Sequence, residues 1–214
     1  QLKLTRNYSI MPSVATQDFG WWPDVTATTG FTVISAGRFV PLKGFDLTIE
    51  AFARFIEQVP FYERQKCRLV LVGSGAEEQK LKKLVEKNNL SYHVDILSWI
   101  DRPELLERFK SASVLLFPSH EGAGMVVAEA LSFGLPVVCM DNEGPGAFIT
   151  PECGIRVPKG TYSETIEHLS GALLGLYRDT EKRSIMRRAA RAHFLRAFHW
   201  DKRGEQLQKI YATL

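Results

Sequence analysis

From residue 31 the chain alternates short apolar runs rich in β-branched residues with longer amphipathic stretches. FTVISA (31–36), CRLVLVG (67–73), YHVDILSW (92–99), SVLLF (113–117), PVVCM (136–140) and GIRVP (154–158) read as strands. Between them FDLTIEAFARFIEQV (45–59), EEQKLKKLVEKN (77–88), PELLERFKSA (103–112) and GMVVAEALSF (124–133) read as helices. Phe45, Ile49, Phe52, Ile56 and Val59 fall on one helical stripe, and Gly134 followed by Pro136 stops the last of these helices. Strand runs that are apolar on both faces need cover on both sides. The expected class is therefore α/β, a Rossmann-like parallel sheet of about six strands with helices on both faces.

Residues 1–24 read differently, as an irregular lead-in or interdomain linker with Pro12, Gly20 and Pro23 as breakers and Trp21 and Trp22 as packing anchors. A chain that starts this way looks cut from something longer. The Rossmann-like domain is expected over 25–198, and after residue 160 the text turns helical to the end. The stretch from Thr180 to Phe198 carries Arg183, Arg187, Arg188, Arg191 and Arg196. Helical geometry puts Met186, Ala190, Phe194 and Ala197 on one side with Arg188 and Arg191 roughly opposite, which reads as a solvated basic face. Attraction to anionic lipid head groups is the alternative reading.

Composition narrows the partners. At 214 residues and 45% hydrophobic the chain can bury a core, and 27 Lys and Arg against 24 Asp and Glu leave a net charge of +3. That balance does not imply nucleic acid or membrane. Cys67, Cys139 and Cys153 form an odd set without C-x-x-C spacing, which fits a reduced, cytoplasmic setting. No run reaches ~18 apolar residues and the N-terminal text is unlike a secretory signal, so contact with the inner face of a membrane would be peripheral.

Two segments carry chemistry. After the first strand comes AGRFVPLKGFD, placing Arg38 and Lys43 at the carboxyl end of a parallel strand, where ligands of open α/β sheets bind. Lys43 precedes a helix, so its charge faces the positive end of the helix dipole at a cost of ~0.3–1 kcal/mol, a cost that a phosphate between them removes. Gly37 and Gly44 allow close backbone approach, and the whole loop suits a diphosphate. After the fourth strand, FPSHEGAGMVVAEALSFGLPVV puts Glu121 in a small-residue turn and Glu129 on the helix that follows. Gly122, Ala123 and Gly124 leave amides open to a ligand. Were both glutamates helical, eight residues would part them by roughly 12 Å. A glycosidase acid/base pair needs about 5–9.5 Å, so that reading is disfavoured. Glu121 suits neutral sugar hydroxyls or a transition state gaining positive charge, and Glu129 a ribose diol.

GRFVPLKG, VGSGAEEQKLKKL and DILSWIDRPELLERFKSASVLLFPSHEGAGMVVAEALSFGLPVV, taken in this order, resemble the C-terminal domain of the retaining glycosyltransferases of family 4, which have the GT-B fold. The similarity covers about residues 31–158, with EGAGMVVAE as the E-x(7)-E motif. The resemblance implies a nucleoside diphosphate sugar as donor. Arg38 and Lys43 would bind its diphosphate, with Gly37 beside them; Glu121 would touch the transferred sugar, and Glu129 the ribose. Amides of Gly122, Ala123, Gly124, Met125 and Val126 would complete those contacts, and Gly73, Trp99 and Ile100 would line the nucleoside pocket. It further implies retention of configuration without a cofactor or bound metal. The acceptor, glycan or lipid-linked, would sit on an N-terminal domain missing here. The closing helix, expected within 199–214, would pack against that domain.

Departures bear on specificity. Ala123 stands where many members have an aromatic residue and Ser98 where they often have glycine, so the resemblance does not carry over base or sugar preference. His120 reads as a turn residue. A nicotinamide-dependent dehydrogenase is the rival from another class, but VGSGAEEQK lacks the third glycine and follows the second strand, not the first. A nucleotide-sugar epimerase of the same architecture and a non-catalytic nucleotide-sugar-binding module are the nearer alternatives.

Overall fold

Six strands form, all parallel: β1 (Phe31–Ala36), β2 (Cys67–Val72), β3 (Val94–Leu97), β4 (Val114–Phe117), β5 (Val137–Met140) and β6 (Gly154–Val157). The computed structural model describes residues 14–20, 30–122 and 124–212, so Trp21, Trp22 and Ala123 lie outside the described residues. The strand order is β3-β2-β1-β4-β5-β6, with Val33 paired to Leu69 of β2 on one side and to Val114 of β4 on the other. The chain builds outward one way from β1 to β3, then returns to β4 and builds the other way. The crevice at that reversal opens above the carboxyl ends of β1 and β4.

Alternation along each strand divides the core in two. Val33, Leu69, Leu71, Val114, Leu116 and Val138 face one buried cluster, while Ile34, Val70, Leu115, Phe117 and Val137 face the other. The first cluster is closed by α1 (Phe45–Gln58), α3 (Glu78–Lys87) and α6 (Tyr162–Arg178), the second by α4 (Arg102–Ser111), α5 (Met125–Ser132) and α7 (Thr180–Ala197). The expected stripe on α1 is real: Phe45, Ile49, Phe52, Ile56 and Val59 are all buried. Each such side chain contributes ~1.5–3 kcal/mol by leaving water, and Phe52→Ala would cost about 3–5 kcal/mol. Sequence periodicity did not resolve α2 (Phe61–Arg64), a single turn. The final helix, α8 (Trp200–Tyr211), buries none of its residues here and exposes Trp200, Leu207 and Tyr211.

Local signals fix the boundaries. Asp101 caps α4 by accepting from the Glu104 amide, and Thr161 with Glu164 forms a reciprocal capping box on α6. Residues 14–20 have no helix or regular strand, yet the segment is anchored: Val14 and Thr16 are buried and the Thr16 amide donates to Phe198 O at 3.0 Å.

One expectation fails. The arginines of α7 do not form a solvated face, because Arg187 and Arg191 are buried. Arg187 donates to the carbonyl of Ala112, which caps α4, and Arg191 donates to the carbonyl of Ser132, the last residue of α5. Both guanidinium groups thus meet unsatisfied carbonyls at the negative ends of helices, which a solvent-facing wheel does not anticipate. Arg191 also makes two 2.7 Å bonds to Asp18, and Arg183 lies 5.4 Å from the Phe31 ring centroid. Arg188 and Arg196 remain exposed.

Candidate functional site

A cavity of ≈ 520 Å³ occupies the crevice above β1 and β4. The loop after β1 supplies Gly37, Arg38 and Lys43; the loop after β2 supplies Gly73 and Ser74; the segment after β3 supplies Trp99 and Ile100. Glu121 comes from the turn after β4, and Met125, Val126 and Glu129 from α5. Ala36, Val72 and Leu105 give apolar wall.

Glycine lets the floor close. Gly37 and Gly73 have φ of +151° and +150°, and a Cβ on Gly73 would sit 1.8 Å from the Gly37 carbonyl oxygen. The two strand-end loops touch backbone to backbone, which no side chain would permit. A second close approach supports Glu121, since a Cβ on Gly144 would lie 1.7 Å from the Glu121 carbonyl oxygen.

Hydrogen bonds then join the loops. His120 N–H and Ser119 Oγ both donate to Leu42 O, at 2.9 and 3.3 Å, so the Lys43 loop and the Glu121 turn are bound together. Asn142 Nδ2 donates to Ser119 O at 2.8 Å, while its Oδ1 accepts from the amides of Gly144 and Gly146. His120 is exposed and contributes only this backbone tie.

The charges are arranged in pairs. Lys43 Nζ donates to Glu121 Oε2 and lies 5.3 Å from the centroid of Phe117. Arg102 donates to Glu129 Oε1 at 2.6 Å. Burial pushes the Glu129 carboxyl up from its ordinary value, and the Arg102 charge and hydrogen bond oppose that. Arg38 is exposed, with no ion-pair partner among the described residues. Among the described residues no side chain caps α5, whose N-cap is Gly124, and Met125 and Val126 of its first turn line the cavity.

Of the residues singled out in the sequence, Gly37, Arg38, Lys43, Gly73, Trp99, Ile100, Glu121, Met125, Val126 and Glu129 line this one cavity. Gly122 and Gly124 lie in the adjoining turn, outside its lining. Sequence reasoning missed Arg102 and the Asn142–Gly144 prop. Arg102 had a signal: like Lys43, it is a cation at a helix N-terminus, where the dipole disfavours it. Among the described residues no three His, Cys, Asp or Glu side chains gather where they could hold a metal ion, and no helix is long and apolar enough to cross a membrane.

Sheet order and cleft together define a Rossmann-like α/β domain, the fold expected of a GT-B half. The chain belongs to the glycosyl transferases group 1, whose family model matches residues 23–193. It is 29% identical over 181 residues to the GDP-mannose-dependent monoacylated alpha-(1-6)-phosphatidylinositol monomannoside mannosyltransferase of Corynebacterium glutamicum, covering 81% of this chain and 45% of that one. It is 31% identical over 191 residues to the D-inositol 3-phosphate glycosyltransferase of Jonesia denitrificans, covering 86% and 43%. The chain thus spans under half the length of these relatives. Among solved structures, the pneumococcal O-GlcNAc transferase GtfA in complex with UDP and GlcNAc superposes with a TM-score of 0.73 at 18% identity, over 94% of this chain and 38% of that one. HepE of Anabaena in complex with UDP gives 0.72 at 23% identity, over 86% and 49%.

Proposed function

We propose that this chain is the donor-binding half of a retaining family 4 glycosyltransferase, which moves a sugar from a nucleoside diphosphate sugar to a glycan or lipid-linked acceptor in polysaccharide or glycoconjugate synthesis. The observation that carries this reading is the convergence of Arg38, Lys43, Glu121 and Glu129 on one cavity at the reversal point of the sheet. Two structural neighbours, GtfA and HepE, are complexes with UDP, which supports a nucleotide in this crevice.

In this reading Arg38 and Lys43 hold the diphosphate and stabilise the charge that develops on it as the glycosidic bond breaks. They take the part that a metal plays in other transferases, so metal-independent turnover is expected. Glu129 accepts from the ribose hydroxyls, and Trp99, Ile100 and Gly73 line the base pocket. Glu121, released from Lys43 as the diphosphate takes its place, turns to the sugar hydroxyls. The acceptor is held by a domain outside this chain, against which the exposed face of α8 packs.

The test is a melting-temperature screen of the chain against UDP, GDP, ADP and CMP, followed by calorimetry on the best binder. A nucleotide at ~100 times its dissociation constant stabilises the fold by ~2.7 kcal/mol. Glu129→Ala is expected to weaken that binding about tenfold, or ~1.4 kcal/mol. Failure of every nucleotide to bind would sink the reading.

A further inference from the structure

Arg102 is the first residue of α4, placed there although its charge faces the positive end of the helix dipole. Its guanidinium is engaged on both sides. One side donates to Glu129 Oε1 at 2.6 Å; the other lies 5.1 Å from the ring centroid of Phe19. Phe19 belongs to the anchored 14–20 segment and stacks on Phe133, with centroids 5.9 Å apart and an interplanar angle of 12°. Asp18, its neighbour, is clamped by Arg191.

The exposures of the two partners differ greatly. The Arg102 side chain is 54% exposed, whereas that of Glu129 is 11% exposed. A buried carboxylate with a single cation on one oxygen keeps Oε2 and the second lone pair of Oε1 for other donors. It is also fixed in direction, which a flexible exposed glutamate is not. Arg102 follows directly on Trp99, Ile100 and Asp101, so the turn that forms one wall of the cavity also orients its carboxylate.

We propose that Arg102, braced on Phe19, is a positioning residue that aims Glu129 at the ribose diol of the bound nucleotide. This rests on the donor-binding reading given above. Arg102 itself lies outside the lining of the cavity. Its effect is therefore confined to the part of the affinity that passes through the ribose hydroxyls, and the segment before the sheet contributes to the nucleotide site through Phe19.

Calorimetry with UDP or GDP, whichever binds, set beside the matching 2′,3′-dideoxynucleotide, which lacks both hydroxyls, separates this from a general electrostatic effect. Wild type is expected to prefer the ribonucleotide. Arg102→Ala should weaken ribonucleotide binding about tenfold, ~1.4 kcal/mol, while changing 2′,3′-dideoxynucleotide binding less than about twofold, so the preference collapses. Arg102→Lys, which keeps one charged donor, should recover part of it. Glu129→Ala is the reference. If Glu129→Ala leaves the preference intact, the ribose assignment itself fails. If Glu129→Ala abolishes the preference and Arg102→Ala does not, the assignment stands and the role of Arg102 is overturned. Equal weakening of both nucleotides by Arg102→Ala also overturns it. Because Arg102 is half exposed, the variants should melt within a few degrees of wild type, which circular dichroism checks.

Discussion

Lys43 ends against Glu121 and lies over the Phe117 ring, so the cation assigned to the diphosphate in the proposed reading already has an anion. A nucleotide bound as proposed would displace that anion, and removing its charge would lower the cost of entry. Glu121→Gln is accordingly expected to bind the nucleoside diphosphate as well as wild type or several-fold tighter. The same substitution in the full-length enzyme should lower turnover by about 10²–10³-fold, the range for loss of one stabilising contact in a transition state. Calorimetry and single-turnover kinetics read the two effects apart. Weaker nucleotide binding by Glu121→Gln would contradict this account. Glu129 presents the opposite balance. Its folded carboxyl is shifted up by burial, so its contribution to stability is present below the ordinary carboxylate range and is lost as pH rises through the shifted value. At neutral pH the buried charge is a burden on the fold. Glu129→Gln should therefore raise the melting temperature by a few degrees, about 1 kcal/mol corresponding to ~2–4 °C at this size, while weakening nucleotide binding.

Elements were more legible than their neighbours' demands on them. All six strands follow from short apolar runs rich in β-branched residues, and the helices α1, α3, α4 and α5 from period-3.6 patterns, because burial there is decided by the element's own faces. The arginines of α7 were misplaced for the complementary reason. Their burial depends on where α4 and α5 end, which is a fact about other elements. Arg102 escaped notice likewise, since its partner is 27 residues away. Arg191 now makes a testable case: it binds Ser132 O and both oxygens of Asp18, so Arg191→Ala should destabilise the fold by about 2–4 kcal/mol in urea titration. Its hydrogen bond holds the Asp18 carboxyl below the usual range. The stability from Asp18 is thus present above the ordinary carboxylate value and lost as pH falls through the depressed one. Asp18→Asn should flatten the acid limb of a stability-versus-pH curve; an unaltered limb would exclude the contribution.

For the molecule as a whole, the motif order along the chain sufficed to predict where the cleft lies, because in a doubly wound sheet every strand's carboxyl end points to the same side. What the motifs left out was the support: the Asn142 side chain bonds the backbone of Ser119, Gly144 and Gly146, and Gly144 meets the Glu121 carbonyl, both from beyond the segment that carries the two glutamates. The three cysteines are free and buried, and burial pushes the Cys67 and Cys139 thiols up to about 11 and about 12. Thiol-alkylating reagents should accordingly label the folded chain slowly and at a rate set by unfolding, measured by mass spectrometry across a urea series. Rapid labelling in the absence of urea would show that the core opens locally. The bond from Thr16 to Phe198 has a mechanical meaning as well. It pins the segment entering the domain to the segment leaving it. Tension on the flanking chain is borne first by this crossing and by the Asp18–Arg191 clasp, and the sheet is shielded until both give way.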